Sequence, residues 1–374
     1  MKALGFPRMH KEKNERRDFT PNFFKALRDE KAEIYLEYGY GSCLGFKEED
    51  YIKANPNIKF TTNKECYKKD IVVVLRAPEF YELDYMKQGS ILISMLHYPT
   101  RPTRVERLKE KGIYSISLDS VRNDFLERMV VNYKGTAFYG MEVAFKELEK
   151  SMKSFYSKDR DPINVAIMGM GMVGLYAAKA AGHFGYVKEI EDKINTIGAK
   201  GVLVEMIPRN ITEDEEELIK VLKGCDILVD ATTRRDPTKY IIKNELIGYM
   251  KPHAIILDLT ADPYLTDTNP IQVKAIEGIP TGSLDKFVFY PDDEEYDKIP
   301  KEVNTKNRRI VVSCNAWPGV KPLECMELYG IQILPILKKV INSDIKDFSI
   351  DSPDFIIRAI YRGTIEYYEK EIYI

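Results

Sequence analysis

The hexapeptide GMGMVG at positions 169–174 follows the apolar run INVAIM and stands at the start of a segment patterned as a helix. In a strand–turn–helix context the three glycines have separate duties. Gly169 permits the tight turn, Gly171 lets a pyrophosphate approach the backbone, and Gly174 lets helix and strand pack closely. The helix N-terminus then offers unpaired amides and a partial positive charge to phosphates. A glycine-rich turn alone is weak testimony, because such turns often serve packing only. Here the strands that follow come in the order a dinucleotide-binding unit requires.

That unit is the second of two alternating segments. The first runs through KALGFP, AEIYLE, DIVVVL, SILISML and IYSISL, with a helix opened by Thr20-Pro21 and another over RVERLKEKG. A long helix is expected from Tyr133 to about Ser154. The second segment then runs through INVAIM, GVLVEM, CDILVDAT, AIILDL and IVVSCN, and the chain closes in helices over LECMELYGIQILPILKKVI and DFIIRAIYRGTIEYYE. Alternation of this kind predicts mostly parallel sheets covered by helices on both faces. The fold class is therefore α/β: two doubly wound domains separated by a cleft, with a Rossmann-type NAD domain inserted into a discontinuous substrate domain. The expected boundaries are 1–135 for the first part of the substrate domain, 136–318 for the dinucleotide domain with its linker helix, and 319–374 for the returning helices.

Composition narrows the function. Lys and Arg total 56 against 58 Asp and Glu, which gives no reason to expect nucleic acid or an anionic membrane as partner. The N-terminus lacks a signal-peptide pattern, and no run of roughly 20 apolar residues is present. Five scattered cysteines show neither CxxC pairs nor metal-ligand spacing, so no metal is expected and the thiols read as reduced in a cytoplasmic protein. Small polar metabolites are the expected partners.

An acid at the end of the strand after the glycine motif would accept hydrogen bonds from the adenosine ribose. Glu205 of GVLVEM is the candidate, at a spacing stretched by the charged insert KEIEDKINTIGAK. An acid there favours NAD, whereas nearby Arg209 leaves NADP open. Met172 and Val173 of the motif and Asn315 of NAWPGVKP complete the residues expected at the cofactor. Met168, Met170 and Met172 are expected to serve packing. Trp317, the single tryptophan, fits either a wall of the nicotinamide cleft or domain packing.

In the first segment, cationic and titratable groups follow strands at their C-terminal ends. Arg16 and Arg17 lie in the loop after KALGFP, Arg76 ends DIVVVL, and His97, one of four histidines, ends SILISML. Parallel neighbouring strands would bring them to one rim, where guanidinium groups clamp a carboxylate beside an acid/base catalyst.

ERRDFTP (15–21), LRAP (75–78), SMLHY (94–98), the glycine motif and NAWPGVKP (315–322) together resemble the alanine dehydrogenase and pyridine-nucleotide transhydrogenase superfamily, which includes saccharopine dehydrogenases. The resemblance implies that Arg16 grips the substrate carboxylate, with Arg17 the adjacent candidate. It implies that His97 contacts the substrate and takes part in proton transfer. Asp262 of DLTAD would lie near the nicotinamide, with Asp258 its upstream partner. Arg76 replaces the family's usual lysine and cannot act as a general base, since a guanidinium keeps its proton. The activity implied is NAD-dependent, reversible oxidative deamination of a small L-amino acid to a 2-keto acid and ammonia, in a homo-oligomer. The alternatives are an opine- or saccharopine-type reductase, with Arg101 and Arg104 contacting a second carboxylate, and a transhydrogenase-like nucleotide-binding module.

Overall fold

The structure, a computed structural model, describes residues 1–185, 200–234 and 236–372. The insert at 188–200 lies, apart from Lys200, outside the described residues. The chain divides into two compact units: Met1–Asn132 with Lys321–Ile374, and Tyr133–Val320.

The first unit holds a six-stranded sheet of β1 (Lys2–Phe6), β2 (Ala32–Glu37), β3 (Ile58–Thr61), β4 (Ile71–Arg76), β5 (Ile91–Met95) and β6 (Tyr114–Ser117). All pairs are parallel, in the order β3-β2-β1-β4-β5-β6. The unbroken apolar run of β4 has a direct cause. Ile71, Val73 and Leu75 pack into one core with Leu4, Phe6 and Ile93, while Val72 and Val74 pack into a second core with Leu92 and Leu108. A strand covered on both faces has no place for a polar residue. The helix Pro322–Asn342 closes the first core with Met326, Ile333, Ile336, Leu337 and Val340, one apolar stripe at helical spacing.

The second unit contains β7 (Ile163–Met168), β8 (Val202–Ile207), β9 (Ile227–Asp230), β10 (Ile255–Asp258), β11 (Val288–Phe289) and β12 (Ile310–Ser313). Their order is β11-β12-β10-β9-β7-β8, parallel except for β11 on β12. Both units are thus doubly wound α/β folds, the second inserted into the sequence of the first.

Sequence periodicity missed β3 and β11. The first reads IKFT, with Lys59 and Thr61 on an edge strand, and the second is two residues long. The C-terminal tail, read as one helix, is two: Phe355–Tyr361 and Ile365–Ile372. The break at Gly363 is held by β6 and β5 flanks, because the Gly363 carbonyl accepts from Ser117 N–H at 2.7 Å and from Tyr98 Oη at 3.2 Å. Among the described residues no helix is long and apolar enough to cross a membrane.

Candidate active site

In the second unit the chain leaves β7 for β8 on one side and reaches β9 on the other, so the loop after β7 lies at a topological switch point. Gly169 has φ +99°, and a Cβ there would stand 2.3 Å from the Ala231 carbonyl oxygen. A Cβ on Gly174 would stand 1.9 Å from the Gly169 carbonyl oxygen, whereas one on Gly171 would meet no protein atom within 4 Å. The first and third glycines are therefore required by the protein's own backbone, and the second leaves open space. This is a loop a pyrophosphate fits, opening the helix Met172–Gly185. Val173 is half-buried in the adjoining core, and Asn315, just beyond β12, is exposed. Met168 is buried, but Met170 and Met172 are 62% and 48% exposed. The expectation that all three methionines pack is corrected for these two, which the turn carries out into solvent.

Glu205 is also corrected. The strand continues past it through Met206 to Ile207, and Glu205 pairs with Ala166. At about 3.3 Å per residue its Cα falls roughly 7 Å short of the strand tip. It lines a cavity of about 230 Å³ with Asn164, Glu217, Lys220 and Gly224 instead of meeting a ribose at the tip.

Beyond β10 the two aspartates of DLTAD separate. Asp258 is fully buried and accepts from Lys274 Nζ and Ser313 Oγ, each at 2.9 Å, from Thr260 Oγ1 at 3.0 Å and from Ala261 N–H at 2.7 Å. Burial pushes its carboxyl upward, but Lys274 and these donors outweigh burial and leave it below the ordinary range. Burial and the Asp258 charge push neighbouring Asp230 the other way, upward. Ala261, at φ +51°, turns the chain so that Asp262 emerges half-exposed and pairs with Arg234 Nη2 at 2.7 Å. Trp317 is buried in the core and donates to the Asp258 carbonyl at 2.9 Å, which settles its role as packing.

In the first unit the switch point falls between β1 and β4. Arg76, the last residue of β4, forms an ion pair through Nη1 with Glu12 and stands 3.6 Å from Glu15. Arg17 is buried and forks onto Glu15 at 2.7 and 2.6 Å. Burial raises the Glu15 carboxyl, and Arg17 together with Arg76 more than reverses that. Arg16, on the same loop, is exposed and reaches Asn14 Oδ1 at 3.4 Å.

His97 lies two residues beyond β5 at φ 51°, a strained backbone for a histidine. Asp119, two residues beyond β6, explains how it is held. One Asp119 oxygen accepts from the backbone N–H of Leu96 at 3.0 Å and of His97 at 3.2 Å, and from Ser117 Oγ at 2.7 Å. The other stands 3.4 Å from His97 Nδ1. Burial raises Asp119, but the His97 charge and these donors hold it well below the ordinary carboxylate range, so it stays ionised. A carboxylate on Nδ1 fixes the ring and leaves Nε2 for a reacting group.

Further cations gather on this rim. Lys11 pairs with Glu79 at 2.5 Å, and burial, with Arg76 and Arg104 nearby, lowers its pKa. Burial and then Arg101 lower Arg104, whose Nε is buried without a hydrogen-bond partner among the described residues.

Residues 5–131 match the family "Alanine dehydrogenase/PNT, N-terminal domain", and residues 145–263 match "Alanine dehydrogenase/PNT, C-terminal domain". The chain belongs to the alanine dehydrogenase/PNT family. Members of this family are NAD(P)-dependent oxidoreductases, in keeping with the glycine loop. NAD(P) transhydrogenase subunit alpha of Haemophilus influenzae is 22% identical, over 96% of this chain and 70% of that protein. Alanine dehydrogenase of Methanococcus maripaludis is 24% identical, over 69% of this chain and 72% of that one. Among solved structures an L-alanine dehydrogenase superposes with a TM-score of 0.69 at 20% identity, covering 97% of this chain and 94% of that one.

Within this alanine dehydrogenase/PNT chain, the first unit gathers Arg17 and Arg76 around Glu15, and joins His97 to Asp119. The second unit places Gly169, Gly171 and Gly174 at one switch point. Reasoning from the sequence missed Asp119, Arg234, Lys274 and Lys11. Asp119, Arg234 and Lys11 follow strands at their C-terminal ends, the same signal that singled out Arg76 and His97. Lys274 lies in an irregular stretch and had no such signal.

Proposed function

We propose that this protein is an NAD(H)-dependent amino-acid dehydrogenase that reversibly deaminates a small L-amino acid to a 2-keto acid and ammonia. The observation that carries this reading is the His97–Asp119 pair on the same sheet rim as Arg76. The pair supplies an oriented acid/base group, and the guanidinium supplies a carboxylate anchor.

Arg76 and Arg16 hold the substrate carboxylate, which takes the place of Glu12 on Arg76. Bound NAD supplies the two-electron acceptor for the Cα hydride, held by Gly169, Gly171 and Gly174 with Met172, Val173 and Asn315 at its margins. His97 Nε2 takes a proton from the water that adds to the imine carbon and returns one to the departing nitrogen as ammonia leaves. Asp119 holds the ring through Nδ1 while this happens. Arg17, satisfied by Glu15, positions the loop, and Asp262 places a carboxylate, steadied by Arg234, at the end of β10 to favour a cationic iminium.

Lys11 and Arg104 support a second reading, an opine- or saccharopine-type reductase that joins an amino acid to a keto acid. A buried guanidinium nitrogen without a partner, beside a second buried cation, suits an additional carboxylate.

Oxidation of NADH with a panel of 2-keto acids, each offered ammonium or an amino acid, tests both. Turnover with ammonium supports the dehydrogenase, and turnover that requires an amino acid as amine supports the reductase. Tight NADH binding with no amine-dependent turnover would refute both and favour a transhydrogenase-like nucleotide-binding module.

A further inference from the structure

We propose that the dinucleotide site accepts the 2′-phosphorylated cofactor NADP(H) as well as NAD(H), and that Arg209 receives the 2′-phosphate. This rests on the glycine loop after β7 holding a dinucleotide. On such a loop the adenosine ribose lies over the tip of the adjacent strand, here β8. The last residue of β8, Ile207, pairs with Met168, immediately before Gly169. What stands just past Ile207 therefore meets the ribose. That sequence is Pro208-Arg209, and the acid of this strand, Glu205, is two residues back in the ladder and lines a separate cavity with Asn164 and Gly224.

Arg209 is free to take a new partner. Its Nε lies 2.8 Å from Glu213, but the two side chains are 81% and 64% exposed. An exposed pair one helical turn apart is weak, and a phosphate carrying nearly two charges competes well for the planar fork of a guanidinium. Glu213 opposes the phosphate and limits its affinity. A carboxylate at the strand tip would instead have repelled it.

Calorimetric titration of the protein with 2′,5′-ADP and 5′-AMP tests the proposal without substrate or hydride transfer. Wild type should bind 2′,5′-ADP at least as tightly as 5′-AMP. Arg209→Ala should weaken 2′,5′-ADP roughly 10- to 100-fold, as for loss of one hydrogen bond to a charged group, and leave 5′-AMP unchanged. Glu213→Gln should tighten 2′,5′-ADP. Binding of 5′-AMP alone, or an equal loss of both ligands in Arg209→Ala, overturns the assignment of Arg209. If neither ligand binds, the dinucleotide site itself is wrong and the proposal goes with it.

Discussion

Three alanine substitutions in one hexapeptide should separate what the glycine loop does for the fold from what it does for a ligand. In Gly174→Ala the new methyl stands 1.9 Å from the Gly169 carbonyl oxygen, a backbone atom that cannot rotate away. In Gly169→Ala the methyl stands 2.3 Å from the Ala231 carbonyl oxygen, and φ +99° adds strain. Overpacking of this kind costs about 1–3 kcal/mol, which for a unit of this size lowers Tm by roughly 2–12 °C. Gly171→Ala meets no protein atom within 4 Å and has no positive φ. Its stability should be unchanged or raised by up to about 1 kcal/mol, through the stiffer unfolded chain. Its methyl, however, occupies the space where a pyrophosphate approaches. Thermal unfolding and titration with ADP-ribose, run on all three, read the two effects separately. A Gly171→Ala protein that keeps its Tm and binds ADP-ribose like wild type would show that this loop does not cradle the pyrophosphate.

Lys274→Met leaves Asp258 buried with its charge unmatched, and should destabilise by about 3–5 kcal/mol; adding Asp258→Asn should recover much of that in urea unfolding, and a neutral single variant would contradict the network. Asp119→Ala should lower kcat about 100-fold with KM nearly unchanged, because the ring of His97 loses its anchor while the carboxylate clamp stays; a loss confined to KM would place Asp119 in substrate binding. Asp18, pushed up to about 6 by burial, keeps its proton in the folded protein above the pH at which the unfolded chain loses it. Stability from this group is therefore lost as pH rises from about 4 to 6, by up to about 3 kcal/mol. Asp18→Asn, which can still accept from Gly41 N–H, should match wild type near pH 4 and exceed it at pH 7.5, and a difference independent of pH would disprove the assignment.

Much of this architecture was legible because the two sheets are built from runs with few alternative readings. DIVVVL and INVAIM are apolar on both faces, so they had to be central strands, and their order with the helices fixed the doubly wound form. The strand-end rule located Arg76 and His97 for the same reason: in a parallel sheet all C-terminal ends share one rim. It applied equally to Asp119 of ISLD, passed over because a serine and an aspartate after a strand also read as an ordinary turn. Glu205 failed on register. Nothing in VLVEMIP tells where pairing stops, and only the ladder with β7 shows Met206 and Ile207 still within it. Arg16 and Arg17 differ by one position, and the sequence could not say which is buried. The Glu15 partner that selects Arg17 is two residues away, a spacing with no preferred geometry in a loop.

The discontinuous layout of the first unit has a consequence for synthesis. Its sheet is complete by Ser117, yet the helix that closes its first core, Pro322–Asn342, lies more than two hundred residues downstream. At 5–20 residues per second, the ribosome needs roughly 10–40 s to cover that interval. Throughout it Leu4, Phe6, Val73 and Ile93 lack their lid, while the contiguous second unit can fold as it emerges. We predict that nascent chains stalled at residue 320 show a protease-resistant second unit and a labile first one, and that resistance of the first appears only once residue 342 has left the exit tunnel. Equal protection of both at residue 320 would refute this order. The same exposed strands make the half-made first unit the place where a chaperone would bind.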